Sequence, residues 1–554
     1  MKEKLVSSLL VLTMMAGLFA GCGSKQTNVQ GTETQSADQG EVVQKTAPPA
    51  MEEINDKALN IIDDNYRTCY ELFVYSFCDS DGDGIGDLKG VTSKLDYIEE
   101  LGCNEIWFMP IMPSTTYHKY DVIDYRDIDE QYGTMEDFEE LVSECHARGI
   151  NVVIDFVMNH SSSQNEWFKE ASSYILSLED GEEPNINECP YVDYYHFQKE
   201  NGSGYVQLGD SDWYYEAMFW SEMPDLNLDS EAVQNEFADI AKFWMDKGVD
   251  GFRLDAIGEY ESGDPVASTR ELGVFVDKVK AMNPDTYLVG ECWKTYDQYS
   301  KFYESGIDSV FDFAFADYDG YIAKVLNGNA KSGASTYGKA VTAVNESILE
   351  YTDSYIDAPF YTNHDMARSA GYYTGDYALE KTKMGHGMNM MMSGTAFIYY
   401  GEELGMRGSG KDENKRVGMY WTDDAEAEGM CDGPKDADEV EMSYPSLEEQ
   451  KDDPMSIYSY VKQAIKLRNI YPEIARGTGV FLEAVSDENI CVIQKEYNGE
   501  SITIVFNPTE NESSVDLSSL GLTEIAGLLQ TGEEVATFEN GTATLPAYTI
   551  LLLK

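Results

Sequence analysis

The segment GFRLDA, residues 251–256, is one of four short segments that share one pattern, in which an apolar run ends in a charged or polar side chain. The other three are VMNH at residues 157–160, GECW at residues 290–293 and TNHD at residues 362–365. A (β/α)8 barrel keeps its active site at the downstream ends of its parallel strands. The four segments therefore predict an α/β fold of the TIM-barrel type, with one site where these strand ends converge.

Further β-type runs extend this pattern along the chain and alternate with helical patterns, as a closed barrel of eight parallel strands requires. The eight runs are Tyr70–Phe77, Asn104–Ile111, Asn151–Met158, Gly248–Asp255, Tyr287–Glu291, Val310–Phe315, Pro359–Thr362 and Ala396–Gly401. The gap after the third run is much longer than the others, which predicts a subdomain inserted there. Near the C-terminus the helical pattern gives way to alternating strands, which predicts a small antiparallel β-domain.

The predicted domains follow from these changes of pattern. Residues 56–160 and 230–469 form the catalytic barrel, residues 161–229 the inserted subdomain and residues 470–554 a C-terminal β-sandwich domain. Residues 22–55 are rich in polar residues and too poor in apolar ones to fold, which predicts a disordered tether.

The first 21 residues have the features of a signal peptide, because two lysines precede an apolar stretch that is too short to span a bilayer stably. Leu18-Phe19-Ala20-Gly21-Cys22 resembles the lipobox of bacterial lipoproteins. The resemblance implies an exported protein that is anchored to the outer face of the bacterial cell membrane by a lipid on Cys22. An ordinary secretory peptide, which would give a freely secreted protein, is the alternative.

The overall charge limits the partners of the protein. The chain carries 100 acidic and 39 basic residues, a formal net charge of -61. Nucleic acids and anionic membrane surfaces are held by basic patches, so we expect neither as a partner and expect membrane contact through the lipid alone. The sequence leaves the oligomeric state open.

Two carboxylates at neighbouring predicted strand ends have the features of a glycosidase pair. Cleavage of a glycosidic bond with retention uses one carboxylate as nucleophile and a second, protonated one as acid. Arg253 lies two residues before Asp255, on the same face of the strand, and its charge favours an ionised, oriented aspartate. Glu291 lies in a more apolar setting that favours a protonated acid. His160, His364 and Asp365 are suited to hydrogen bonding with sugar hydroxyls.

The four segments resemble the signature regions of the α-amylase superfamily, glycoside hydrolase family 13, and the resemblance extends from about residue 66 to the C-terminus. It implies a catalytic nucleophile at Asp255, a general acid/base at Glu291 and a transition-state stabiliser at Asp365. It also implies a set of substrate-binding residues, namely Tyr120, Asp121, His160, Arg253, His364 and Arg416. Tyr120 stacks on the sugar in this comparison, and Arg416 resembles an arginine that pairs with the counterpart of Asp121 to wall off the pocket in exo-acting relatives.

The segment DSDGDGIGD, residues 79–87, offers oxygen atoms at alternate positions with glycines between them, the arrangement that wraps hard cations. Gly90 stands where an EF-hand loop has its glutamate, which excludes an EF-hand. The segment resembles the calcium loop of the oligo-1,6-glucosidase branch of the family. That resemblance implies Ca²⁺ as a cofactor, bound by Asp79, Asp81, Asp83 and Asp87 and by the Ile85 carbonyl. A metal-free acidic turn is the alternative.

The sequence as a whole predicts a retaining hydrolase of α-glucans, an α-amylase that cleaves α-1,4 bonds in starch or maltodextrins. Residues 223–227, MPDLN, resemble the segment typical of members intermediate between oligo-1,6-glucosidases and neopullulanases. Ala256 favours α-1,4 over α-1,6 cleavage by family analogy. An exo-acting α-glucosidase, an oligo-1,6-glucosidase or a glucanotransferase on the same scaffold is the nearest alternative. A carbohydrate-binding lipoprotein without activity is a remote one, because all three carboxylates are present.

Overall fold

The structure, a computed structural model, describes residues 57–60 and 62–554. The strands of these residues are β1 (Thr68–Leu72), β2 (Glu105–Phe108), β3 (Asn151–Phe156), β4 (Phe197–Gln198), β5 (Tyr205–Gln207), β6 (Tyr214–Glu216), β7 (Gly251–Leu254), β8 (Tyr287–Gly290), β9 (Ser309–Val310), β10 (Ala396–Tyr399), β11 (Thr478–Phe481), β12 (Cys491–Tyr497), β13 (Glu500–Asn507), β14 (Ser513–Asp516), β15 (Ile525–Leu529), β16 (Thr537–Glu539), β17 (Thr542–Leu545) and β18 (Thr549–Leu553).

The α-helices of the described residues fill the intervals between the strands. They are α1 (Leu88–Ser93), α2 (Leu95–Leu101), α3 (Met135–Ala147), α4 (Glu166–Ser177), α5 (Glu231–Asp246), α6 (Pro265–Met282), α7 (Tyr296–Tyr299), α8 (Tyr321–Leu326), α9 (Ser335–Leu349), α10 (Ala378–Met390), α11 (Asp412–Lys415), α12 (Leu447–Gln450), α13 (Ile457–Ile470) and α14 (Pro472–Arg476).

The central sheet is parallel and has the strand order β10-β1-β2-β3-β7-β8-β9. Two isolated parallel bridges, Phe311 to Ala358 and Phe360 to Phe397, connect its two edges through residues 358–360. Those extended residues occupy the place of the missing strand, so the sheet closes on itself. The predicted TIM-barrel fold is confirmed.

The barrel strands are buried along almost their whole length because helices cover their outer faces. Helix α6 illustrates how the sequence sets a helix start. Asp264 accepts hydrogen bonds from the backbone N–H groups of Val266 and Ala267, and Pro265 occupies the first turn, where no N–H partner is required. This helix packs its buried apolar face towards the barrel and fixes the loop that follows β7.

Each predicted strand that forms in the sheet ends before its apolar run does, and the first and sixth strands differ most. The first ends at Leu72, and Val74–Ser76 form a 3-10 helix in place of the predicted continuation to residue 77. The sixth covers Ser309–Val310 alone, whereas the prediction continued to residue 315. In both places the apolar residues beyond the strand are buried by loops, so burial and not strand pairing explains their apolar character.

A small antiparallel sheet, β4-β6-β5, and helix α4 lie in the segment between β3 and β7. At the C-terminal end, β11-β12-β13-β18-β15 and β14-β17-β16 form two antiparallel sheets. The predicted C-terminal antiparallel β-domain is thereby confirmed, whereas the residue limits of the domains stay a prediction.

The predicted signal peptide, tether and lipidated Cys22 lie outside the described residues. No helix within residues 57–60 and 62–554 is long and apolar enough to cross a bilayer.

Candidate active site

A pocket of about 410 Å³ opens at the carboxyl ends of the barrel strands. It brings together side chains from most of the segments that the sequence singled out, and several aromatic residues form part of its wall. The polar residues that line it are His118, Tyr120, His160, Asp255, Glu259, Glu291, Asp365, Asp412 and Arg416.

Arg253 lies at the centre of the carboxylates below the pocket. Its Nη1 donates to Asp255 Oδ1 at 2.6 Å, and its Nη2 lies 3.3 Å from Glu291 Oε2. Leu254 pairs with Gly290 in the sheet, so Asp255 and Glu291 follow directly opposed residues of adjacent strands. One guanidinium therefore contacts both carboxylates of the predicted glycosidase pair.

The turn after Asp255 brings the backbone to Glu291. Ala256 has a φ of 48°, a left-handed conformation that is uncommon for a residue other than glycine. In this conformation its N–H donates to Glu291 Oε2 at 3.2 Å. The strained turn thus positions a donor on the carboxyl group, as strained backbone at functional sites often does.

The environment of Glu291 favours its protonated form. The pKa of Glu291 is raised to about 7, because burial and the nearby Asp255 charge raise it by more than the Arg253 charge lowers it. A carboxyl group with this pKa can hold a proton near neutral pH and deliver it to a leaving oxygen.

Asp365 lies in a contrasting, cationic environment. Arg416 Nη2 donates to its Oδ1 at 2.8 Å, and His364 Nε2 lies 3.1 Å from its Oδ2. Burial alone would raise the pKa of Asp365, but the charges of His364 and Arg416 hold it well below its usual range. The ionised form of Asp365 is therefore favoured.

Tyr120 and His160 take different positions around the pocket. The Tyr120 ring stacks on the His364 ring with a centroid distance of 5.5 Å, and its hydroxyl contacts His364 Nε2 at 2.8 Å. His160 Nε2 is buried and has no hydrogen-bond partner among the described residues. Because His160 also lines the pocket, this nitrogen is available to a bound hydroxyl group.

The resemblance placed Arg416 against Asp121, and the structure corrects this pairing. Arg416 binds Asp365 and contacts the Tyr117 hydroxyl at 3.2 Å. Asp121 is fully buried and accepts hydrogen bonds from the hydroxyl groups of Ser114, Thr115 and Thr116. These neighbouring hydroxyls satisfy Asp121 locally, so it needs no arginine partner.

Sequence reasoning missed four carboxylates of the site: Glu259 and Asp412, which line the pocket, and Asp155 and Glu71, which lie beneath it. Asp155 on β3 accepts two hydrogen bonds from Arg253 Nη1, at 2.9 and 3.0 Å, and a third from the Tyr120 hydroxyl at 3.0 Å. Glu71 on β1 lies 2.6 Å from His364 Nδ1. Asp155 and Glu71 both interrupt apolar strand runs. A charged residue inside a buried strand requires a polar partner, so their position in the sequence already indicated a buried polar contact.

Two aromatic side chains extend the pocket towards solvent. Phe219 from the inserted segment is 52% exposed, and its ring is tilted against the His160 ring at a centroid distance of 5.5 Å. Trp293 after β8 is 51% exposed and stacks on Phe313. Both line the pocket. Exposed rings of this size on a concave wall provide flat apolar surfaces for a ligand.

The acidic loop at residues 79–87 partly matches the predicted ligand set. Oxygen atoms of Asp79, Asp81 and Asp87 lie within 4.8 Å of one another, a spacing that suits one shared cation. Asp83 is not in this group, and its Oδ1 accepts a hydrogen bond from the Ile85 N–H at 2.8 Å. Gly82 and Gly84 have φ values of 86° and 90°, which glycine adopts without strain. The loop thus contains acidic groups that could hold a metal ion.

The chain is similar to several known proteins. The family profile described as "Alpha amylase, catalytic domain" matches residues 71–477. Alpha-amylase 3 of Dictyoglomus thermophilum is 36% identical over 455 residues, which cover 81% of this chain and 86% of that protein. An oligo-1,6-glucosidase of Bacillus cereus is 29% identical and covers 81% of this chain and 91% of its own length. The solved structure of Eubacterium rectale Amy13B superimposes with a TM-score of 0.91 at 56% identity, over 92% of this chain and 99% of that one.

Proposed function

The chain belongs to the α-amylase family of glycoside hydrolases, and we propose that it hydrolyses internal α-1,4-glucosidic bonds of starch and maltodextrins with retention of anomeric configuration. The observation that carries this proposal is the pair Asp255 and Glu291, which follow opposed residues of adjacent strands and share the guanidinium of Arg253. A nucleophile and an acid on one anomeric carbon are the requirement for retention.

In the first step, Asp255 attacks the anomeric carbon while Glu291 protonates the departing glycosidic oxygen. The bond to the leaving sugar breaks, and a bond between Asp255 and the remaining sugar forms. In the second step, the ionised Glu291 takes a proton from water, and the resulting nucleophile displaces Asp255. Glu291 is thereby protonated again and the cycle closes.

The remaining polar groups stabilise the charge that develops on the sugar ring. Asp365 is held ionised by His364 and Arg416, so it can strengthen its hydrogen bonds to ring hydroxyls as the ring flattens. His160 offers its free Nε2 to a further hydroxyl, and Tyr120 supplies an aromatic face in the cleavage subsite. Interactions of this kind lower the barrier because they are stronger in the transition state than in the ground state.

Two observations support internal cleavage of α-1,4 bonds. In exo-acting relatives, by the resemblance, the counterparts of Arg416 and Asp121 pair and wall off the pocket. Here Arg416 instead donates a hydrogen bond to Asp365. The residue after the nucleophile is Ala256, which family analogy links to α-1,4 bonds. A digest of a long maltodextrin tests this: early products of intermediate length support internal cleavage, and glucose as the sole early product excludes it.

We propose Ca²⁺ as the ion of the acidic loop, bound by Asp79, Asp81 and Asp87. A bound divalent cation would offset the mutual repulsion of the three carboxylates and stabilise the loop that leads into α1. The loop holds no residue of the pocket wall, so no step of the mechanism depends on the ion.

We also propose that the protein is exported and anchored by a lipid on Cys22, on the evidence of its leader sequence. Labelling of cells with a radioactive fatty acid tests this proposal. Label on the wild-type protein and none on Cys22→Ala supports the anchor, and an unlabelled protein in the medium supports free secretion.

A further inference from the structure

Three carboxylates outside the pocket come together from separate parts of the chain. Asp229 directly precedes Ser230, the N-cap of α5; Glu261 lies in the loop that follows β7; and Glu271 lies on α6. One oxygen atom of each lies within 4.8 Å of the others. Three like charges at this spacing repel one another strongly unless a positive charge lies between them.

Glu271 gives the cluster an unfilled ligand position. Its side chain is only 2% exposed, and its Oε2 is buried without a hydrogen-bond partner among the described residues. Its Oε1 faces Arg270 Nη2 at 3.1 Å. A buried carboxylate oxygen without a partner is costly, because it has lost its water and gained no donor. The described protein groups therefore leave coordination capacity open on this side chain.

The local charge balance also favours a bound cation. Arg270 Nη2 contacts Asp229 Oδ1 at 2.7 Å as well as Glu271, so its single positive charge pairs with two of the three carboxylates. Burial, together with the charges of Asp229 and Glu261, raises the pKa of Glu271 to about 8. Three ionised carboxylates and one guanidinium leave two net negative charges. A proton on Glu271 would cancel one of them, whereas a divalent ion among the three oxygens would cancel both.

We propose that Asp229, Glu261 and Glu271 bind one divalent hard cation of the Ca²⁺ type, at a site separate from the loop of residues 79–87. Carboxylate oxygens are the preferred ligands of such ions, and Ca²⁺ binds them at about 2.3–2.6 Å, so oxygens up to about 5 Å apart can share one ion. Mg²⁺ requires shorter bonds and a stricter octahedral arrangement, which fits a cluster of this spread less well.

The ion would join three segments that bear on the pocket. Asp229 closes the inserted segment, and Glu261 lies on the loop that also carries Glu259, a residue of the pocket wall. Ser268 Oγ already bonds both the N–H and the carbonyl of Glu261, at 3.0 and 3.3 Å, so the loop is attached to α6 at this point. The cation would add a second attachment through Glu271 and restrict the loop.

Calcium binding to the full-length protein tests the proposal without any measure of activity. Equilibrium dialysis with ⁴⁵Ca²⁺ is performed on chelator-treated wild type, on D79N/D81N, on D229N/E261Q, and on the combination of all four substitutions. The proposal predicts one ion per chain in D79N/D81N and none, or at least tenfold weaker binding, in the combined variant. The matched control is D79N/D81N/D277N. Asp277 is an exposed acid on α6, the helix that carries Glu271, so this variant should keep its ion.

A D79N/D81N protein that binds no Ca²⁺ overturns the proposal, and so does a combined variant that binds as well as D79N/D81N. If E271Q stabilises the calcium-free protein and Ca²⁺ adds nothing to wild-type stability at this site, a proton neutralises the cluster and the proposal also fails. Asp229 is 59% exposed, so D229N alone should keep the fold and allows the test if the combined variant does not fold.

Discussion

Arg253 Nη1 donates to Asp255 Oδ1 at 2.6 Å from a position two residues earlier in the chain, so the two side chains point to the same side of the barrel. The same guanidinium also neutralises Asp155, which is buried beneath it. Arg253 therefore orients the proposed nucleophile Asp255, and the buried Asp155 in turn holds Arg253 in place.

Replacement of Arg253 by lysine should lower kcat by about 100-fold or more, because an ammonium group cannot contact Asp155, Asp255 and Glu291 at the same time. Loss of a partner from a buried ion pair also costs stability, by up to about 3–5 kcal/mol. Initial rates on maltodextrin and thermal unfolding measure the two effects.

The matched control for this variant is R468K, since Arg468 is equally buried but binds backbone carbonyls at Met390, Met392 and Gly394, away from the pocket. It should lose stability and keep its kcat in the folded fraction. An R253K enzyme with the kcat of R468K would contradict the role assigned to Arg253.

The rate should fall as the pH rises through about 7, because Glu291 must carry a proton to act as acid and burial raises its pKa to about 7. The expected result is an alkaline limb in kcat/KM that disappears in E291Q. On a glycosyl fluoride, whose leaving group needs no proton, E291Q should retain far more of the wild-type rate than on maltodextrin. Equal losses on both substrates would exclude Glu291 as the acid.

Stability should depend on pH through His364. Burial alone would lower its pKa, but Asp365 and Glu71 raise it to about 9. A histidine with a raised pKa stabilises the folded state fully below its ordinary value of about 6.5, and this contribution is lost as the pH rises to about 9. The difference in Tm between wild type and H364N should therefore shrink from pH 6 to pH 9.5; a difference that grows over this range would contradict the assignment.

The rim of the pocket should select for chain length. F219A should raise KM for long maltodextrins by about tenfold or less, because loss of one aromatic face costs about 0.5–1.5 kcal/mol. W220A is the matched control, since Trp220 is 44% exposed on the same loop but is not among the pocket-lining residues. The same KM change in both variants would indicate a general effect of the loop.

The sequence predicted the barrel and the convergence of its strand ends because strand periodicity and the position of each polar residue are local properties of the chain. It did not predict that Arg416 binds Asp365, since this contact depends on how a loop far along the chain folds over the pocket. Asp155 and Glu71 stand out as charged residues inside apolar strands, but their partners Arg253 and His364 lie far along the chain, so the sequence did not reveal the contacts. The cluster of Asp229, Glu261 and Glu271 has no local pattern and became visible only in three dimensions.

The configuration of the first product distinguishes a double from a single displacement at the anomeric carbon. Proton NMR spectra recorded in the first minutes of maltodextrin hydrolysis, before mutarotation, distinguish the two anomers of the new reducing end. The proposed double displacement by Asp255 and Glu291 predicts that the α-anomer appears first. Initial release of the β-anomer would mean a single displacement, in which Asp255 forms no covalent bond to the sugar.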